Sequence, residues 1–120
     1  MDVCKWQGNF SKLPQAVYWY TKSAEQGNVY AQYNLGNLYL RGHGVTQNDE
    51  LAFKWFTKAA EQGDAPAQYN LGHMYLLKKF DDQIDLSEAT FWLKQALENN
   101  DKYINGLAQE LWDEYMLGSN

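Results

Sequence analysis

The chain holds one cysteine, Cys4, in 120 residues. It cannot form an internal disulfide, so nothing marks an oxidising compartment, and a Cys4 bridge between two chains is the one covalent link available. There are only two prolines, which leaves room for long uninterrupted helices. Basic residues are in deficit, ten Lys and Arg against fifteen Asp and Glu, for a net charge of −5. That sign disfavours nucleic acid, whose phosphates need a basic surface, and favours a basic partner. No window approaches the roughly 20 apolar residues that span a bilayer. The opening MDVCKWQGNFSKLPQ lacks the basic start and apolar run of a secretory signal. The expectation is a cytoplasmic chain with no membrane contact.

What is there is globular: 45% hydrophobic and 16% aromatic, enough for the core of one domain. The chain also repeats itself. Aligning Ala16–Arg41 with Ala52–Leu77 gives 16 identities in 26 positions, at a period of 36. A third, weaker copy begins at Ala89, where ATFWLKQALENND lies under AFKWFTKAAEQGD. Beyond it, AQELWDEYM lies under AQYNLGHMY, with about three extra residues before it. Such a period is that of helical solenoids, in which each unit is a helix pair that buries its apolar face only by stacking on a neighbour.

Local signals agree. Ala16, Trp19, Tyr20, Ser23 and Ala24 make a helical stripe. Gly27 and Gly63 sit where a left-handed residue ends a helix. Asn28 and Asp64 follow as N-caps, Asn48 caps a third helix, and Asp85 with Glu88 reads as a capping box. Six main helices are expected, over about 12–26, 30–41, 49–62, 66–77, 86–99 and 104–117, with no strands. Residues 1–11 form a partial repeat or cap, 12–117 one repeat domain, and 118–120 a tail.

LGNLYLRGHGVTQNDELAFKWFTKAAEQGDAPAQYNLGHMY resembles the Sel-one-like repeat (SLR) family, relatives of the tetratricopeptide repeats. The matching features are LGxxY, the GxGV loop, WF-x-KAAEQG and A-x-AQ, and the resemblance runs over about 12–117. It departs in the third copy, where ENN replaces EQG, and in the second loop, where KKFDDQID replaces the glycine-rich GHGV. The resemblance implies an all-α, α/α solenoid of about three antiparallel helix pairs in a right-handed superhelix. In each repeat an A helix bearing LGxxY precedes a B helix bearing WY-x-KAA, so this chain runs B, A, B, A, B, A. It further implies a non-enzymatic adaptor or scaffold that contacts a protein or peptide in the concave groove lined by A helices. A small immunity or inhibitor protein that blocks a bacterial toxin or enzyme is the alternative.

Chemistry is sparse. Two histidines and one cysteine lack ligand spacing, so neither a metal nor another cofactor is expected. GHG is not a phosphate loop, and His43 reads as an exposed loop residue. Asp81, Asp82 and Asp85 lack the glycine and final Glu of a calcium loop. Asp113 and Glu114 are adjacent, so a helix points them apart and they cannot share a substrate.

Positions that recur between copies do the packing. On that rule Trp19, Trp55 and Trp92 are inter-helix packing, and Gly36 and Gly72 let the next B helix approach. Trp112 stands at the glycine position of the last copy. Positions that vary are released from packing. They put Tyr33, Asn37, Arg41, Tyr69, His73, Gln109 and Asp113 on the free face of the A helices, with Asn37, His73 and Asp113 aligned as one row. The bland alternative is a set of solvated positions that drifted. Phe53 and Phe91 are weaker candidates on B helices, and Leu76, Leu77 and Phe80 form an apolar cluster beside the second loop. The half-repeat start leaves the first B helix for Val3, Trp6 and Phe10 to cover, or for a second chain. The protein is thus expected as a monomer or weak homodimer through that end.

Overall fold

A computed structural model describes residues 13–77 and 86–117. Cys4, the Val3–Phe10 cap, the loop bearing Phe80, Asp81, Asp82 and Asp85, and the tail 118–120 lie outside the described residues. Among those described there are six α-helices and no strand: α1 (Leu13–Glu25), α2 (Val29–Arg41), α3 (Asp49–Glu61), α4 (Ala65–Leu76), α5 (Leu86–Glu98) and α6 (Lys102–Trp112), the last prolonged by a π-helical turn over Asp113–Leu117. No helix among them is long and apolar enough to cross a membrane.

The chain forms two compact units, Met1–Trp55 and Phe56–Asn120. In the first, α1 and α2 pack as a hairpin around Val17, Ala24, Ala31 and Leu35. Trp55 from α3 completes this core, and Tyr20, Leu38, Tyr39 and Val45 pack at its edge. In the second, α4, α5 and α6 surround Ala65, Leu76, Ala89, Leu93, Ala96, Ile104, Ala108 and Leu111.

The turns follow from the sequence. After α1 the N–H of Asn28 donates to Ser23 O, and after α3 the N–H of Asp64 donates to Ala59 O. Both reach back five residues, the closure that needs a left-handed residue between. Gly27 (φ 97°) and Gly63 (φ 96°) supply it. The residue after each glycine caps the next helix: Asn28 Oδ1 accepts from Ala31 N–H, and Asp64 Oδ2 from Ala67 N–H. Before α6, Asp101 Oδ1 accepts from Ile104 N–H in the same way. Asn48 caps α3 by accepting from Leu51 N–H.

These caps set a register that letter matching had misplaced. Asp64 lies 36 residues after Asn28, and Asp101 lies 37 after Asp64. Counted from its cap, Ile104 takes the slot of Ala31 and Ala67, and Ala108 that of Leu35 and Leu71. Gln109 therefore holds the slot of Gly36 and Gly72, while Trp112 holds that of Tyr39 and Tyr75. The expectation that Trp112 replaces the glycine is corrected: it set the third copy three residues, about one helical turn, too far along.

Hydrogen bonding confirms the register. Gln32 and Gln68 are buried, and each Nε2 donates to a carbonyl at the end of the preceding helix, Ala24 O (3.1 Å) and Ala60 O (3.3 Å). In the third pair Asn105 stands in that slot. Its Nδ2 lies 2.7 Å from Ala96 O and 3.0 Å from both Leu97 O and Asn99 O. The ENN turn has its own use: Asn99 Nδ2 donates to Gly63 O (2.9 Å) and to Gln68 Oε1 (3.2 Å), linking it to the turn of the previous copy.

One packing expectation fails. Trp19, Trp55 and Trp92 are each the seventh residue of their helices. Trp55 and Trp92 are buried, but Trp19 is 65% exposed. Trp55 lies against the α1–α2 hairpin, whereas no described helix precedes α1 to cover Trp19. Its ring meets the neighbouring Tyr18 edge-on at 5.0 Å.

Candidate functional site

Residues four apart stack on one helical face, and the A-type helices α2, α4 and α6 separate their residues as that rule requires. Leu35 and Leu71 have no exposed surface. The variable Asn37 and His73, each two residues further on, are half-buried. In the first unit Tyr33 and Asn37 are half-buried, and Arg41, the last residue of α2, is exposed.

Asn37 and Arg41 line a cavity of about 450 Å³ with Asn34, Leu38 and His43, closed on the α1 side by Ala16 and Tyr20. Tyr33 is not among its walls. Gly42 ends α2 in the left-handed conformation, with the N–H groups of Gly42 and His43 both donating to Leu38 O. That turn brings His43, an exposed loop residue as expected, back beside Arg41. A second cavity of about 350 Å³ shares Ala16 and Tyr20 and is otherwise lined by Trp19, Ser23, Asn28, Tyr30 and Ala31. The slots of Ala16 and Tyr20 are filled in the next copy by Ala52 and Phe56, which have no exposed surface. The cavities exist because this B helix, unlike α3, keeps its stripe partly open.

In the second unit Tyr69 and His73 lie with ring centroids 5.9 Å apart. Burial pushes the Tyr69 phenol above its ordinary range, and the charges of Glu110 and Glu114, with Tyr103, push it further. Those three residues, spaced seven and four apart on α6 and its π turn, mark the side of that helix that faces Tyr69. Cap counting says the same, since Glu110 holds the slot of His73. Gln109 and Asp113 flank that side of the helix. Both are exposed, and Gln109 Nε2 donates to Asp113 Oδ1 at 2.8 Å. The expected alignment of Asp113 with His73 is therefore corrected to Glu110.

The remaining candidates separate. Leu76 is core, Leu77 is 45% exposed and Phe91 50% exposed, while Phe53 is half-buried. Glu110, Glu114 and Tyr103 were missed because the third copy was read one turn out of register. The signal that finds them is the aspartate of ENND under that of EQGD. Among the described residues no group of three or more His, Cys, Asp or Glu could hold a metal. The arrangement offers an aromatic and acidic face on one unit and a cavity rich in hydrogen-bond donors on the other.

Successive helix hairpins, with Gly72 at the close contact of α4 with α5, define the class, an all-α solenoid repeat protein. Sel1 repeats match residues 7–28, 29–64 and 65–101, most of the chain, and the protein belongs to the Sel1 repeat family. The matches end before α6, where glycine gives way to Gln109.

Solved structures agree. A Sel1 repeat protein from Oxalobacter formigenes is 36% identical, with a TM-score of 0.72 over 83% of this chain and 41% of its own. The protein c5321, a protective antigen present in uropathogenic Escherichia coli strains and displaying an SLR fold, is 27% identical, with a TM-score of 0.78 over 89% of this chain and 23% of its own. The chain thus spans less than half the length of either. No curated protein matches it. Sel1 repeat proteins are generally protein-interaction modules and typically non-catalytic.

Proposed function

We propose that the chain is a non-enzymatic interaction module, an adaptor or scaffold, that holds a protein or peptide segment on the free faces of its A helices. The observation that carries this reading is the contrast within those helices. Residues that recur, such as Leu35 and Leu71, are sealed, while the variable positions beside them keep access to solvent. In the first unit the contact residues are Tyr33, Asn37 and Arg41. In the second they are Tyr69, His73, Gln109 and Asp113, joined by Glu110. A rigid aromatic with one polar end, such as Tyr69, is a common anchor at interfaces.

The acidic side chains around Tyr69 suit a basic partner. They equally favour the second reading, an immunity or inhibitor protein that covers a basic toxin or enzyme, with the cytoplasm as the place of contact.

The test is photo-crosslinking in the native host, with the reactive amino acid at Asn37 or His73 and, as a control, at the exposed Lys58 or Lys94 of B helices. The proposal expects discrete adducts from the first pair alone. Several partners support the adaptor, and a single stoichiometric enzyme or toxin supports the inhibitor. Equal labelling from both pairs would reject the A-helix face.

A further inference from the structure

The cavity between α1 and α2 points to a more specific ligand than the module reading requires. Its polar walls are Asn34, Asn37, Arg41 and His43, with Tyr20 on the α1 side. No carboxylate is among the described residues that line it, although the chain as a whole is acidic, at −5. Arg41 is the only always-charged group among its described walls, and it presents a planar fork suited to two parallel bonds to a carboxylate. Asn34 uses one amide hydrogen on Tyr30 O (2.9 Å) and keeps a second. Asn37 adds another donor pair on the same side of α2, three residues on.

The walls Ala16 and Tyr20 are common to this cavity and its neighbour, where the exposed aromatic rings are Trp19 (65%) and Tyr30 (68%). A ligand that fills both meets the Arg41 fork in one and the rings of Trp19 and Tyr30 in the other.

We infer that this edge of the first unit binds a peptide carboxylate next to a large apolar residue. Arg41, Asn37 and Asn34 hold the carboxylate, and Trp19, Tyr20 and Tyr30 cover the apolar side chain. The inference rests on the interaction-module reading and narrows it. The carboxylate can come from an Asp or Glu side chain or from a chain terminus; both offer the same planar pair of oxygens.

The experiment is a nitrogen-15 NMR titration of the full chain with four short peptides. These are acetyl-Gly-Phe-Glu-Gly-amide, its Gln and its Ala-Glu counterparts, and acetyl-Gly-Gly-Phe with a free carboxylate. The signals followed are the side-chain amides of Asn34 and Asn37, the Arg41 guanidinium and the indole N–H of Trp19. Saturable shifts are expected with the Glu peptide, the free acid, or both, and the two arms tell the sources apart. Binding should weaken about tenfold or more for the Gln peptide and for Arg41→Gln, as loss of a charge-assisted pair dictates. The Ala-Glu peptide should no longer move the Trp19 signal. Arg41 is exposed at a helix end, so its variant stays folded, which circular dichroism verifies. Equal binding of the Glu and Gln peptides, or no saturable shift from either acid, overturns the inference. Crosslinking at His73 of the second unit would stand unaffected, so the two failures are distinguishable.

Discussion

Replacing Gly72 by Ala tests how closely the hairpins stack. A β-carbon built at Gly72 would lie 2.8 Å from both Cγ and Cδ2 of Leu93, and 3.4 Å from its backbone nitrogen. Leu93 has no exposed surface and belongs to the second unit's core, so it can retreat only by displacing other core residues. Forcing one methyl into such a core costs about 1–3 kcal/mol. Alanine recovers up to about 1 kcal/mol through its better helix propensity. The net expectation is a loss of roughly 0.5–2 kcal/mol. Gly106 is the matched control: it also sits inside a helix, yet nothing lies within 4 Å of its would-be β-carbon. There the propensity acts alone, and Gly106→Ala should stabilise by about 0.5–1 kcal/mol. Urea unfolding followed by circular dichroism measures both. The midpoints should move in opposite directions at similar slopes. If the two variants shift the midpoint alike, Gly72 is not a contact glycine and the stacking argument fails.

Other outcomes follow from the caps and the core. Burial, reinforced by the charge of Asp101, outweighs the Ala67 N–H and raises the Asp64 carboxyl above its ordinary range. A raised carboxyl favours folding while it is protonated, and that contribution is lost as pH rises from about 4 through the raised value. Asp64→Asn keeps the cap, as Asn28 does in the first copy, so its stability relative to the parent should increase from pH 3 to pH 7 in urea titrations; a constant difference would contradict the shift. Asn105→Ala removes the donor that serves three carbonyls and should cost about 1–3 kcal/mol, whereas a change below about 0.5 kcal/mol in thermal unfolding would deny it the role of Gln68. Trp55→Ala should cost about 3–5 kcal/mol, while Trp19→Ala should cost about 1 kcal/mol or less because its ring is mostly solvated; equal losses would mean that the two occupy equivalent environments after all.

Much of the fold was legible because the same physical devices are written twice. EQGN and EQGD each spell a left-handed glycine followed by a cap, and the structure places both turns there. The third copy was harder. Its turn lacks glycine, and its helix carries apolar residues that keep nearly the same stripe when slid by three positions, about one turn. Periodicity therefore could not separate the right register from the wrong one. Only the N-cap aspartate, which has no periodic twin, fixes the register. Trp19 was misjudged for a different reason: its slot is repeated, but burial depends on the element before it, and α1 has no described predecessor. The site was half legible. Variation picked out Asn37 and His73, which do reach solvent. The cavity walls Asn34 and His43 come together only once the chain has turned at Gly42.

The account depends most directly on α4 meeting α5 through a bare backbone. An NOE spectrum of methyl-labelled protein tests this directly at Gly72. Stacked hairpins predict strong cross-peaks from the Gly72 α-protons to the Leu93 methyl groups; their absence, with those methyls instead contacting α4 a full turn away from Gly72, would contradict it.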